Sequence, residues 1–147
     1  MATVNVKRVF WGGLAGGVAW IAWATIVNFV LLMPRYVVTQ QAGLMYEKSR
    51  YAVFPLVWMG QFLAFGILIA ALYAGVRATW GAGPLTAIKV GLIFGVATGF
   101  SVNFYISAWI PISRYIPAGW VLELLGGSIL AALIAGAIYK EPSSPSA

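Results

Sequence analysis

Glu123 interrupts an otherwise apolar stretch running from Pro117 to Tyr139. A carboxylate left charged and alone in hydrocarbon is costly, so this one must pair, be hydrated or take a proton. Three other apolar stretches each carry one amide, Asn28, Gln61 or Asn103. Counted from the outer ends of their helices, Asn28 lies about 8 Å deep, Glu123 about 9 Å, Asn103 about 11 Å and Gln61 about 15 Å. The expectation is a polar intramembrane layer in the outer half. Arg114, nine residues before Glu123, and Arg35 are the candidate ion-pair partners. Lys89 enters from the opposite end, roughly 20 Å from Glu123 along the normal, and is expected to snorkel to the inner interface. Two chemistries fit the layer. It is a structural knot in which Glu123 bonds Asn28, Asn103 or Gln61 and fixes helix register; the alternative is a site for an ion, a proton or a ligand.

Absences narrow the chemistry further. The chain has no His, no Cys and no Asp. The usual donors for zinc, copper, iron–sulfur or haem are missing, and Ser-His-Asp or Cys-His nucleophilic arrangements have no members. Paired-carboxylate catalysis needs two acids at one site. The three glutamates, Glu47, Glu123 and Glu141, fall in a loop, a helix and a tail. A non-catalytic protein without metal or cofactor is expected.

The elements that carry these residues are four apolar stretches: 9–33, 51–76, 84–110 and 117–139. Each exceeds the roughly 20 residues needed to cross a hydrocarbon core of ~30 Å. Only Lys89 and Glu123 put a formal charge inside them. The 147 residues are 62% hydrophobic and 8% charged, against about 25% charged in soluble domains. The expected fold is an all-α membrane protein, a single domain of four transmembrane helices. Lys7-Arg8 ahead of the first stretch suits a signal peptide, but the run continues to Met33, too long for an h-region. Pro34 is expected to end helix 1. Within the loop from Pro34 to Arg50, residues 37–48 read either as a short interfacial helix or as irregular chain. Trp80-Gly-Ala-Gly-Pro84 is a tight turn, with Pro84 opening helix 3. Residues 141–147 read as a disordered tail. The net charge of +6 is spread over helix ends and loops, a membrane-orientation pattern, and not a nucleic-acid face.

Residues 66–75 match residues 127–136 at six of ten positions, at a constant offset of 61. Helices 1 and 3 echo each other through Asn28-Phe29 and Asn103-Phe104, and through Arg35-Tyr36 and Arg114-Tyr115. A duplicated helical hairpin follows, with its halves related by a pseudo-two-fold axis along the membrane normal. Small-residue columns mark close helix packing: Gly12/Gly16 and Gly13/Gly17 on helix 1, Gly91/Gly95/Gly99 on helix 3, and Gly119, Gly127, Ala131 and Ala135 on helix 4. The bland reading is packing within the fold; the sharper one is that a Gly13–Gly17 or Gly91–Gly95 face meets a second polypeptide. Trp11, Trp80 and Tyr139 suit an inner aromatic belt, and Tyr36, Tyr51, Trp109, Tyr115 and Trp120 an outer one. Trp20, Trp23 and Trp58 lie deeper, either packed or lining a flat apolar ligand.

Lys-Arg before a glycine-rich helix 1, a Gly-x-Gly-Pro turn before helix 3 and a Glu in helix 4 resemble the small uncharacterised four-helix membrane proteins of bacterial genomes. That resemblance implies a location in the bacterial cytoplasmic membrane and no activity. Orientation by basic residues is nearly balanced, and the N-terminal pair with the short inner loop favours both termini in the cytoplasm. The expected role is a structural or accessory subunit of a homo-oligomer or larger membrane complex, such as an energy-transducing one. The alternative is a small transporter or an ion or proton carrier acting through Glu123.

Overall fold

The computed structural model describes residues 4–141, so all but the first residue of the expected disordered tail lies outside the described residues. The chain forms α1 (Val6–Ile26), a π-helical stretch (Val27–Leu32), α2 (Met33–Gln41), α3 (Phe54–Trp80), α4 (Pro84–Trp109) and α5 (Tyr115–Ile138). Four spans are long and apolar enough to cross a membrane, and the fold is a four-helix transmembrane bundle.

The first span departs most from expectation. Pro34 does not end it: α1, the π stretch and α2 run on as one span of 36 residues, Val6–Gln41. In an α-helix the Pro34 ring would strike the Val30 carbonyl four residues back. The π stretch moves that carbonyl out of α register, a local adjustment by which membrane helices accept proline. At ~1.5 Å per residue this span is about 54 Å long, well beyond a ~30 Å hydrocarbon core, so one end stands clear of it. It stops where Gly43, at φ 71°, takes the left-handed conformation and Leu44 N–H returns to the Thr39 carbonyl. Residues 37–48 are thus helix to Gln41 and turns thereafter.

The other boundaries follow their prolines. Pro55 and Pro84 lie in the first turns of α3 and α4, where a missing N–H costs nothing. Pro117 also sits inside a first turn, so α5 opens two residues earlier than expected, at Tyr115. Ile110, before Pro111, is extended and ends α4. Gly81 and Gly83 carry positive φ in the α3–α4 turn, as expected of that sequence, and Gly83 N–H donates to Tyr73 Oη at 3.1 Å.

Glycines gather at the helix crossings while many large apolar side chains face outward, unlike a soluble bundle. Leu56, Val57, Leu68, Ile93, Val96 and Phe104 are all exposed. Lipid is as apolar as they are, and helices gain instead by backbone approach. Gly13 and Gly17 pack on the backbone of Ile67 and Leu63, so α1 and α3 are antiparallel. Gly91 and Gly95 do the same against Ile129 and Leu125 in the α4–α5 pair. Gly12 and Gly16 close α1 onto Ala135 and Ala131 of α5. The glycine columns of helices 1 and 3 are therefore spent inside the chain, and the faces expected to meet a second polypeptide are covered by α3 and α5. The physical reason is geometric: two adjacent glycine columns on one helix serve two neighbours in the same bundle. The α3–α4 seam is much sparser than the α1–α5 seam.

At the centre, Trp20 is 0% exposed and packs on Phe62, Phe65 and Phe94 at ring-centroid distances of 5.3, 5.7 and 6.2 Å. Trp58 extends this aromatic core, edge-on to Phe62 at 5.3 Å. Tyr139 belongs to the core and not to the inner belt: it is buried, and its hydroxyl accepts from Asn5 N–H at 3.2 Å.

Candidate intramembrane acid site

Glu123 lies on the α5 face that carries Gly119 one turn before it and Gly127 one turn after it. Both glycines make room for α1 and its π extension: Leu32 fills the notch at Gly119, and Trp20 fills the notch at Gly127. The carboxylate is thereby walled in on both sides, and Glu123 is only 4% exposed.

Asn28 meets it from the π stretch. Its Nδ2 donates to Glu123 Oε2 at 2.5 Å and to the Ala24 carbonyl at 2.9 Å. Its Oδ1 accepts from Tyr36 Oη at 2.6 Å, and Tyr36 Oη in turn accepts from Trp120 Nε1 at 2.7 Å. Three side chains, Trp120, Tyr36 and Asn28, form one chain of donors pointing at the carboxylate, an arrangement in which each bond polarises the next. The π stretch makes it possible. Residues eight apart diverge by about 80° around a regular α-helix, and one extra residue in a wide turn cuts that to about 20°. Tyr36 is thus brought over Asn28. The indole of Trp58, from α3, lies beside the carboxylate on another side.

No cationic side chain among the described residues pairs with the acid. Among the described residues the ion pair present is Arg77–Glu141, 3.3 Å apart near the chain termini. The Arg35 guanidinium stacks over the Tyr115 ring at 4.8 Å. Arg114 is exposed and borders a cleft of about 280 Å³ between α4 and α5 with Phe100, Asn103, Phe104 and Ser107. Neither arginine, each an expected ion-pair partner, pairs with Glu123; Asn28 bonds it instead.

Of the four residues expected in one layer, only Glu123 and Asn28 come together. Gln61 is exposed on the outside of α3. A count of depth says nothing of rotation: Phe62, its neighbour about 100° round the helix, is the one facing the core. Asn103 is buried, yet its Nδ2 donates to the Gly99 carbonyl of its own helix at 2.7 Å. Lys89 is exposed near the start of α4, where a snorkelling lysine would be.

Tyr36, Trp120 and Trp58 belong to the site, although their positions in sequence suited the membrane interface or general packing. Pro34 is the one local sign of the irregular turn that aligns Tyr36 with Asn28. No known protein family, curated protein or solved structure matches the chain.

Proposed function

We propose that this chain is a small membrane carrier that binds a cation at Glu123. The observation that supports this most directly is a carboxylate buried in the bundle, 4% exposed, with hydrogen-bond donors around it and no ion-pair partner among the described residues. The Asn28 bond by itself would serve a structural knot; the cation reading rests on the further fact that no charged partner for the acid is found among the described residues. The site is occluded, one side chain below the surface behind the half-buried Asn28 and Trp58, which suits alternating exposure better than an open pore. No catalytic role is part of this reading. Both termini in the cytoplasm of a bacterial cell, and a hairpin duplication as the origin of the four helices, complete it.

The test is reconstitution into liposomes, with dissipation of an imposed proton or cation gradient compared between wild type and Glu123→Gln. Dissipation by wild type and its loss in the variant is expected. Equal behaviour of the two would overturn the carrier reading.

A second reading, a non-catalytic accessory subunit of a homo-oligomer or a larger membrane complex, draws on a different face. Gly60 and Gly75 on the outside of α3 have open space where a Cβ would stand, and Ala64 and Ala71 share the exposed surface. Purification in mild detergent, followed by identification of what accompanies the wild type but not Gly60→Leu, tests it.

A further inference from the structure

Polar groups near the α4–α5 turn have bonding capacity to spare, and they share one cleft. Thr25, Thr39 and Thr98 each donate a hydroxyl to the carbonyl four residues back, the usual outlet for a hydroxyl on a helix. Ser107 on α4 makes no such bond among the described residues. Asn103, one turn before it, spends one N–H on the Gly99 carbonyl and leaves its second N–H and its Oδ1 without partners there. Asn103 is only 6% exposed. Among the described residues, Trp20 Nε1 is the fully enclosed side-chain atom without a partner, so Asn103 Oδ1 is not sealed and opens on the cleft that its residue lines.

Arg114, immediately before α5, is exposed, borders the same cleft and pairs with no acid among the described residues. The start of α5 adds to its field, since a helix N-terminus is electropositive and the first turn here carries no acidic residue. The remaining walls are apolar. Phe100 and Phe104 stack with ring centroids 5.7 Å apart, both more than half exposed, and Val121 lines the cleft from α5. From the turn inward the lining therefore passes from guanidinium to hydroxyl to amide and ends on the Phe100 ring, with Ser107 and Asn103 about 6 Å apart along the axis.

That order matches the order of groups along a membrane lipid: charged head, ester linkages, hydrocarbon. A free anion has no use for the phenyl rings, and a lipid without net charge has little use for the guanidinium. At about 280 Å³ the cleft is at the small end of ligand pockets, roughly 300–1,000 Å³, so it suits one part of a molecule whose remainder lies in the bilayer. Basic pockets between membrane helices hold anionic head groups in this way.

We propose that the α4–α5 cleft binds one phospholipid with an anionic head group. Its phosphate lies on Arg114, an ester carbonyl accepts from Ser107 Oγ and the spare Asn103 N–H, and the start of one acyl chain runs along Phe100, Phe104 and Val121. Asn103 Oδ1 accepts from water that enters with the head group. Glu123 does not line this cleft, so the site stands or falls apart from the carrier reading.

The test is native mass spectrometry of the purified full-length chain in detergent, titrated with phosphatidylglycerol, phosphatidylcholine of the same acyl chains, or glycerol 3-phosphate. One phosphatidylglycerol should bind saturably and about fivefold tighter than phosphatidylcholine, with no retention of glycerol 3-phosphate. Arg114→Gln should weaken phosphatidylglycerol about fivefold and remove the preference. Asn103→Ala should weaken both lipids about threefold. Arg50→Gln removes a positive charge from the same end of the bundle, away from the cleft, and should leave binding unchanged. If Asn103→Ala does not fold, the head-group comparison and the two arginine variants decide. Equal retention of the two lipids, or equal weakening in Arg50→Gln and Arg114→Gln, overturns the inference, because the attraction is then diffuse. Glycerol 3-phosphate bound as tightly as the lipid overturns it in favour of a site for a soluble anion.

Discussion

The two antiparallel hairpins, α1–α3 and α4–α5, cross in the same way with different chemistry at the crossing. In the first, Gly13 and Gly17 lie against Leu63 and Ile67, and Gly66 fills the middle with no side chain at all. A Cβ on Gly66 would run into the Gly13 carbonyl and the Gly17 backbone. In the second, Gly91 and Gly95 lie against Leu125 and Ile129, and Ser128 holds the middle place. Its Oγ donates to the Gly91 carbonyl at 2.7 Å, with the Leu125 carbonyl of its own helix also in reach at 2.9 Å. Lipid provides no drive from water, so close approach must come either from removing the side chain or from a small hydroxyl that bonds across. The glycine crossing tolerates no added atom, whereas the serine crossing has space for one short side chain.

The largest effect therefore belongs to Gly66→Ala. Both obstacles are backbone and cannot rotate away, so α1 and α3 must separate. Overpacking of this kind costs about 3 kcal/mol. Thermal unfolding in detergent, read by circular dichroism, should show a large loss or no folded protein. A change below about 1 kcal/mol would mean the α1–α3 crossing is looser than described.

The seams between hairpins differ as well. Asn28 and Asn103, which share an Asn-Phe motif, both donate to the carbonyl four residues back, at 2.9 and 2.7 Å. Asn28 also reaches an acid across the tight α1–α5 seam, while Asn103 opens on the cleft by Arg114. Asn28→Ala removes a hydrogen bond to a buried carboxylate and should cost about 2 kcal/mol. Asn103→Ala removes a bond within one helix and should cost about 0.5–1 kcal/mol. Equal losses would mean that Glu123 is satisfied without Asn28.

These contrasts explain what could be read in the chain beforehand. The four spans, the Gly81-Ala-Gly-Pro84 turn and the glycine columns rest on local composition and spacing, which determine them almost alone. Rotation about a helix axis does not: Gln61 and Asn103 were expected in the layer from depth alone, yet Gln61 faces outward beside the core residue Phe62 and Asn103 bonds the Gly99 carbonyl of its own helix. The course of the chain past Pro34 depended on whether a π turn would absorb the ring, and no residue pattern announces that. Tyr36 and Trp120 entered the site through that turn. The expected repeat likewise aligned Gly66 with Gly127, whereas the crossings pair Gly66 with Ser128, one residue on. The unequal α1–α5 and α3–α4 seams show packing that departs from strict two-fold equivalence, whatever the origin of the halves.

Removal of the hydroxyl sharpens the comparison of crossings. Ser128→Ala keeps the Cβ and loses only the bond to Gly91, and interhelical hydrogen bonds in membranes average about 0.6 kcal/mol. A loss near that value, measured by reversible unfolding in detergent, is expected. A loss approaching that of Gly66→Ala would show that the serine crossing depends on its hydrogen bond as strictly as the glycine crossing depends on bare backbone.

The smallest effect sets the baseline for all of these. Gly60 and Gly75 lie on the same helix as Gly66, and a Cβ at either would meet nothing within 4 Å. Alanine has the better helix propensity, by about 0.8–1 kcal/mol for a helix interior in water. In lipid the backbone bonds are made in any case, so the gain should be smaller. Gly60→Ala and Gly75→Ala should therefore leave stability unchanged within about 0.5 kcal/mol or raise it slightly. Three glycine-to-alanine changes in one helix then separate backbone propensity, common to all, from the close approach found only at Gly66. If Gly60→Ala or Gly75→Ala proved as damaging as Gly66→Ala, the outer face of α3 would be packed against something, and the accessory-subunit reading would gain the contact it needs.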